Sequence, residues 1–380
     1  MPDYDYIIIG AGAAGLMLAD ALISDSFFLE KTILILDKEA KQNNDRTWCF
    51  WEKEESSFDA ILHKKWANIT FAGKEIKLTK SIRPYQYKML RGIDFYNYYF
   101  KKLKSNVRIT FIQKEVTSLK DEGDIVVVET KNATYTAKKV FNSIFDYKSL
   151  LNQKKYPVLQ QHFLGWFVKT EEAVFNENEV TFMDFSILQK GNTRFMYVLP
   201  FSKTEALVEF TLFSESLLEK QDYEATIITY LKEKLGAKKY RIEAVEQGNI
   251  PMTCYNFSKN NSNTILNIGV AGGWAKPSTG YTFYNSTKKV NELVLHLKNN
   301  QPLSKFSEKT RFWYYDLLLL DILKHDNSLG QLIFESIFKR RKPQQILKFL
   351  DEDTSLWEDL LLIWACPKKP FIKALFRRLF

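Results

Sequence analysis

The chain has 380 residues, 45% of them hydrophobic, which suits one large or two ordinary domains with a substantial core and excludes a disordered tail. Its three cysteines, Cys49, Cys254 and Cys366, and its four histidines, His63, His162, His296 and His325, share no ligand spacing, so neither a disulfide framework nor a metal site is expected. A formal charge of +9 suits an anionic partner, either nucleic acid or a lipid surface; no helix-turn-helix, zinc or RNA-binding signature accompanies it, so no nucleic-acid partner is expected.

The first element is the apolar run Tyr6-Ile7-Ile8-Ile9, which predicts a strand feeding Gly10-Ala11-Gly12-Ala13-Ala14-Gly15 and then an apolar helix over 16–23. This is a GxGxxG cradle for a dinucleotide. Gly10 permits the tight turn, Gly12 lets the backbone approach a pyrophosphate, and Gly15 lets helix and strand pack closely. The helix N-terminus then faces the phosphates with free N–H groups. A second strand over 32–36 ends in Asp37, about 20 residues past the last glycine, where an acid can hydrogen-bond a ribose hydroxyl. The motif itself leaves NAD and FAD open. The strand begins so near Met1 that no cleavable leader fits before it, and no run reaches the ~18 apolar residues of a spanning helix, so a cytoplasmic, non-spanning protein is expected.

The next segment, Asp45-Arg46-Thr47-Trp48-Cys49-Phe50-Trp51, is too aromatic for an ordinary solvent loop. Alternation over 69–78 predicts a hairpin with its turn at Gly73, a helix follows over 94–103, and 125–129 and 139–142 read as strands. From 158 to 213 the pattern is mostly strand, over 163–168, 179–187, 194–199 and 206–213, which predicts an antiparallel sheet. A helix over 223–235 leads to a second glycine-rich segment, Gly269-Val270-Ala271-Gly272-Gly273-Trp274-Ala275-Lys276-Pro277-Ser278-Thr279-Gly280-Tyr281, and a helix over 286–298. From 305 onward the pattern is helical, and basic and apolar residues alternate over 368–380 as on an amphipathic helix. Aromatic residues make up 15% of the chain, in keeping with either an aromatic-lined cavity or a compositional bias.

Several of these segments, in this order, make the chain resemble the bacterial lycopene cyclases, carotenoid-synthesising flavoproteins of the glutathione-reductase-type FAD superfamily. The carriers are the GxGxxG run; Asp45 to Trp51, similar to the family's R-T-W-C-F-W box; Tyr87-Lys88-Met89-Leu90-Arg91; Phe182-Met183-Asp184; Tyr197-Val198-Leu199-Pro200 with Leu207-Val208-Glu209-Phe210-Thr211; and Gly272 to Tyr281. The resemblance implies an α/β protein in three parts. A Rossmann-like FAD-binding domain occupies 1–150 and 262–300, with a hairpin insertion near 66–80. An inserted antiparallel substrate domain occupies 151–261, and a helical, membrane-facing region 301–380. It further implies that Gly10, Ala11, Gly12, Ala14, Gly15, Asp37 and Lys38 hold the adenosine and pyrophosphate, that Arg91 contacts phosphate, and that Gly272, Pro277, Thr279 and Gly280 lie by the flavin. Two positions depart from the pattern: Val270 follows Gly269 where relatives carry Gly-Asp, and Phe210 follows Glu209 where many members carry paired acids.

The implied reaction is a non-redox, intramolecular cyclisation of the linear ends of lycopene to β-ionone rings, giving γ- and β-carotene, with reduced FAD required and NAD(P)H a candidate reductant. Such chemistry needs a strong general acid in a dry pocket, a base, and surfaces that tolerate cations. Glu209, an acid within the apolar run 206–213, is the expected proton donor, and Asp184 the expected second acid. Trp48, Phe50 and Trp51 are candidates to line a polyene tunnel, with core packing as the competing role. The basic, apolar C-terminus, Phe371 to Phe380, is expected to dock the enzyme on the inner face of an anionic membrane, where lycopene resides. The rival readings are an FAD-dependent monooxygenase or halogenase of an apolar substrate, and a membrane-associated FAD-binding protein without catalysis.

Overall fold

A computed structural model describes residues 2–306 and 309–379; Met1, beside the first strand, and Phe380, at the end of the basic tail, lie outside the described residues. Strand β1 (Tyr4–Ile9) leads into helix α1 (Ala13–Ser24), and β2 (Ile33–Asp37) returns beside β1 in parallel. Both strands are continuous apolar runs because both faces are covered. Tyr6, Ile8, Ile33 and Ile35 point toward the helices, while Ile7, Ile9, Leu34 and Leu36 point into a second cluster on the opposite face.

Three short strands follow, β3 (Thr47–Glu52), β4 (Lys64–Trp66) and, in another sheet, β5 (Asn68–Ala72). Then come β6 (Lys77–Ser81), β7 (Gln86–Arg91), α2 (Gly92–Leu103), β8 (Ile109–Gln113), β9 (Val116–Asp121), β10 (Val126–Thr130), β11 (Ala133–Asn142) and α3 (Tyr147–Asn152). The sheet-rich stretch is β12 (Val158–Thr170), β13 (Glu179–Asp184), β14 (Thr193–Pro200), β15 (Glu205–Ser214), α4 (Lys220–Glu233) and β16 (Tyr240–Thr253). The chain re-enters the first sheet through β17 (Ile265–Asn267), and α5 (Phe283–Lys298) packs against α1. It ends in five helices, α6 (Arg311–His325), α7 (Leu329–Arg340), α8 (Pro343–Leu350), α9 (Leu356–Ala365) and α10 (Lys368–Leu379).

Three sheets result. The first runs β8-β2-β1-β11-β10-β9, with β17 parallel to β11; the third is β3-β7-β4. The second runs β16-β12-β15-β14-β13-β5-β6. The predicted hairpin, with its turn closed by Gly73 N–H on Ile76 O, is therefore an extension of the second sheet, and β5 pairs with β13 in parallel within an otherwise antiparallel array. Strand β16 has no counterpart in the sequence reading. Its outward side chains are mostly exposed, so it lacks the apolar alternation that betrays a half-buried strand.

Alternation across the second sheet separates two environments. Met196, Val208, Phe210 and Leu212 pack on α4 through Tyr223, Ile227 and Tyr230. Tyr197, Leu199, Leu207 and Phe213 face the other way, toward β7 and the C-terminal helices, whose Leu317, Phe338, Ile346 and Leu362 complete that layer. Among the described residues, no helix is long and apolar enough to cross a membrane, and no group of His, Cys, Asp and Glu could hold a metal ion.

Candidate functional site

A cavity of about 800 Å³ runs from the glycine turn, between the second sheet and the C-terminal helices, to the side chains of α9 and α10. At its first end the wall is main chain. Gly10 has φ +99°, a left-handed value that favours glycine, and its N–H donates to Leu36 O. An added Cβ at Gly15 would collide with Gly10 O, so that glycine sets how closely helix meets turn. At Gly12 an added Cβ would meet nothing within 4 Å, because that position opens into the cavity. Helix α1 has no side-chain cap and no acid in its first turn, leaving its N–H groups and positive dipole end directed at whatever fills the space. Across from it lie Gly269, Val270, Thr279 and Gly280 of the second glycine-rich segment, and the buried Thr279 hydroxyl lacks a hydrogen-bond partner. An anion-accepting helix end, a glycine opening onto free space and an unpaired hydroxyl opposite together fit a dinucleotide.

Asp37 does not point into this space. Its Oδ2 accepts the Ala11 N–H at 2.7 Å and its Oδ1 the Glu39 N–H at 2.8 Å, so the carboxylate braces the glycine turn. Arg91 ties its Nε to Asp94 Oδ2 at 2.7 Å and lies outside the cavity lining, as do Lys38, Gly272 and Pro277. The cation in the lining is Arg46, held at 3.1 Å by Asp45 and standing beside Gly12 to Gly15. The sequence reading missed it, although it lies within the aromatic box between β2 and β3.

The middle of the cavity is crossed by one row of the second sheet. Tyr197 on β14 is in register with Glu209 on β15, Glu209 with Gly165 on β12, and Gly165 with Glu246 on β16. All but Gly165 line the cavity. A Cβ at Gly165 would come within 3.3 Å of Glu209 Cβ and of Glu246 Cγ, so the glycine is the gap over which two acids on non-adjacent strands meet. The two carboxyls are hydrogen-bonded to each other. Glu209 Oε1 also accepts from the Thr211 hydroxyl at 2.5 Å, and Glu246 Oε2 from the Thr47 hydroxyl at 2.6 Å. Burial, then the neighbouring Glu246 charge, pushes the Glu209 carboxyl up to about 8; burial pushes Glu246 up to about 7, against the hydrogen bonds from Thr47 and Glu209 that favour its anion. Both carboxyls are thus pushed toward the neutral form, and one acid donates to the other across their hydrogen bond.

Tyr197 of this row is joined through the Tyr87 hydroxyl to Tyr281, with Cys49 against them. Burial raises all three phenols and pushes the thiol up to about 12, so every one of these groups is neutral near pH 7. Beyond them the wall is apolar: Phe182, Phe195 and Phe213 from the sheet, then Phe334, Phe338 and Phe349 from α7 and α8. Trp48 lines the cavity; Phe50 and Trp51 are core residues outside its lining, the Trp51 indole donating to Asp351 Oδ2 at 2.8 Å.

Asp184 is not brought to Glu209. It is in register with Met196, one residue off the Tyr197–Glu209 row, and so takes the opposite face of the sheet. Its Oδ2 accepts from the Tyr230 hydroxyl of α4 at 2.7 Å and its Oδ1 from Ser186 N–H at 2.8 Å. The acid that does meet Glu209, Glu246, was missed because its strand was missed. The signal available was Gly165, a glycine inside an apolar strand, which marks a close approach.

The far end of the cavity is lined by Ile363, Cys366, Phe371, Ile372 and Leu375 of the α9–α10 region. Ile363, Ile372 and Leu375 are also solvent-exposed, so the cavity reaches an outer apolar surface that continues through Leu356, Trp357, Leu360 and Trp364, the last 68% exposed. Lys368, Lys369 and Lys373 border it. Arg377 and Arg378 are anchored instead on the buried Asp321 of α6, at 2.6 and 2.7 Å.

The described fold resembles that of a flavin-dependent brominase (13% identity, TM-score 0.62, 99% of this chain and 98% of that one) and of a flavoprotein/dehydrogenase from Cytophaga hutchinsonii (12% identity, TM-score 0.61, 95% and 99%). In sequence, the chain is 22% identical over 288 residues to a lycopene beta-cyclase of Paracoccus sp., covering 73% of this chain and 70% of that protein. The family model described as lycopene cyclase protein matches residues 5–376, a span that takes in the glycine cradle, the carboxyl pair and the helices at the far end of the cavity, and the chain accordingly belongs to the lycopene cyclase family.

Proposed function

We propose that this protein cyclises the linear ends of lycopene to β-ionone rings by acid catalysis, with FAD bound at the glycine cradle. The observation that carries the reading is the Glu209–Glu246 carboxyl pair, in register across Gly165 and lining one cavity with both the glycine turn and an aromatic wall. Protonating an alkene demands an acid that keeps its proton near neutral pH and a wall that does not capture the cation. Burial provides the first, and the neutral ring faces of Tyr87, Tyr197, Tyr281 and Phe182 provide the second. Glu209 donates to the terminal double bond, the neighbouring alkene closes the ring on the tertiary cation, and a base removes a ring proton; no net redox occurs. When bound, reduced FAD would supply electrostatic stabilisation to the cationic stage without being consumed. Gly12 to Gly15, Thr279, Gly280 and Arg46 are the residues that would hold it.

The test is anaerobic incubation of the flavin-reduced enzyme with lycopene, followed by product chromatography. Cyclic product is expected, and Glu209→Gln, which keeps size but cannot donate a carboxyl proton, should lower turnover by ~10²-fold or more with flavin retained. A monooxygenase or halogenase would stall without oxygen, and a non-catalytic binder would leave the polyene unchanged. Parental turnover by Glu209→Gln would exclude Glu209 as the acid.

We further propose that the exposed apolar surface of α9 and α10 rests on an anionic bilayer, with Lys368, Lys369 and Lys373 at the headgroups, so that the polyene enters without crossing water. Replacing Trp357 and Trp364 together with serine should abolish cosedimentation with anionic vesicles while bound flavin is unchanged. Undiminished binding would move the docking surface elsewhere.

A further inference from the structure

We propose that Glu246 is the base of the cyclisation and that it forms with Glu209 a carboxyl pair that cycles a single proton across Gly165, an inference that rests on the cyclase reading above. Three observations converge on this assignment. The first is register: Glu209 and Glu246 are both in line with Gly165, on strands that flank β12 on either side, and the glycine leaves no side chain between them. The second is matched support, since each acid has its own hydroxyl donor, Thr211 for Glu209 and Thr47 for Glu246, fixing both carboxyls into the same cavity. The third is the absence of a compensating cation. Among the described residues lining the cavity, the sole cationic side chain is Arg46, which is paired with Asp45 at the cradle end. The groups that face the pair from β3, β7, β14 and the glycine-rich segment, Cys49, Tyr87, Tyr197 and Tyr281, are neutral. Two carboxylates side by side in such a place are strongly disfavoured, so one proton is retained between them. Burial raises both carboxyls, in keeping with a proton kept within the pair.

This arrangement balances the reaction. The Glu209 O–H bond breaks as a C–H bond forms at the terminal alkene carbon, leaving two carboxylates beside a carbocation, whose positive charge offsets the added negative one. After ring closure, Glu246 takes the ring proton as the adjacent C–H pair becomes the new double bond. The proton then passes along the hydrogen bond to Glu209, and the pair is reset. No oxidant, reductant or external base enters the balance. The position that follows Glu209 along its own strand could not serve, because Phe210 points to the α4 face of the sheet; the second acid has to come from another strand on the same face.

The experiment compares the flavin-loaded parent with Glu246→Gln, Glu246→Asp and Glu209→Gln in two measurements. In anaerobic turnover of lycopene, Glu246→Gln should lose ~10²-fold or more and Glu246→Asp should recover part of it, with flavin content and carotenoid uptake kept. Parental turnover by Glu246→Gln alongside an inactive Glu209→Gln would overturn the pair and leave Glu209 as a lone acid. In the second measurement, the infrared carbonyl band of the protonated carboxyl is titrated without substrate. The parent should hold that band to higher pH than Glu246→Gln by on the order of one pH unit, because removing the neighbouring charge removes part of what keeps the proton on Glu209. Coincident titrations in parent and Glu246→Gln would overturn the coupling whether or not lycopene is the substrate. Absence of cyclic product from the parent would instead refute the cyclase reading, with the titration still deciding the pair.

Discussion

The two ends of the cavity handle charge in opposite ways. At the cradle, Gly12 to Gly15 present main-chain N–H groups at a helix end that lacks a side-chain cap, and negative charge is welcomed by fixed dipoles. At the sheet, Glu209 and Glu246 face neutral phenols and a neutral thiol, and negative charge is suppressed by retaining a proton. The first end suits a permanent anion such as a pyrophosphate. The second suits a reaction in which the proton itself is the reagent, and in which water or a mobile cation would quench the chemistry. A single cavity with one dipolar and one protonated end can thus hold a charged cofactor and a hydrocarbon side by side without a partition.

The largest expected effect breaks the cradle alone. Gly12→Val places a branched side chain in space that no protein atom occupies, and Gly12 has φ −84°, which valine tolerates. The variant should fold like the parent and yet purify with little flavin, since the pyrophosphate could no longer approach the backbone. Flavin content by absorbance, together with circular dichroism, reads both halves of that expectation. Full flavin occupancy would show that the cofactor does not lie against α1.

A smaller effect tests whether the protonated end is confined to one face of the sheet. Asp184 and Glu209 are acids on strands two apart in the same sheet, and the sequence offered no way to tell which faced the cavity. In the fold Asp184 accepts the buried Tyr230 hydroxyl, a bond that ties β13 to α4. Asp184→Ala should therefore cost about 1–3 kcal/mol of stability by leaving that hydroxyl unsatisfied, with turnover per folded molecule within about twofold of the parent. Chemical denaturation and product formation measure the two separately. A collapse in turnover without loss of stability would put Asp184 in the chemistry after all.

How far each end was legible in the sequence follows from the same contrast. The strand, glycine turn and helix of the cradle are written in consecutive residues and fold as the pattern predicts; where Asp37, Lys38, Arg91, Gly272 and Pro277 stand relative to the cavity, and the place of Arg46 in its lining, depended on the fold. The four strands over 163–213 were found too, as apolar runs rich in aromatic and β-branched residues, because both faces of the sheet are covered. The acid pair was half legible. Glu209 stands out as a charge in an apolar run, whereas Glu246 lies in Tyr240–Thr253, an edge strand carrying four other charged or amide side chains in its first ten residues, Arg241, Glu243, Gln247 and Asn249. Nothing local distinguishes that glutamate from a solvated one. Its role depends on β12 lying between it and Glu209, a contact set by sheet order, and sheet order is not carried by residues near it in sequence.

The smallest expected effect sharpens the protonated end through stability. A carboxyl raised in the folded state binds a proton that the unfolded chain has already released, so the native state holds more protons than the unfolded state between the ordinary glutamate value of 4.5 and about 7 to 8. Stability rises with pH only where the unfolded state binds more protons; here the sign is reversed, and stability falls as pH rises through that window by about 1.4 kcal/mol per pH unit for each proton retained. Below the window both states are protonated, the slope is zero and the stability is fully present; above it both are ionised and the loss is complete. Asp351, raised by burial to about 7, and Asp316, also raised by burial, add slopes of the same sign, so the parent alone cannot isolate the pair. The double variant Glu209→Gln, Glu246→Gln can, because it leaves both aspartates in place. Its unfolding free energy measured in denaturant from pH 5 to pH 8 should decline less steeply than the parent's, with the two curves diverging most at the alkaline end. Parallel curves would mean that the glutamates ionise as freely in the fold as out of it, and the retained proton on which the acid end depends would be gone.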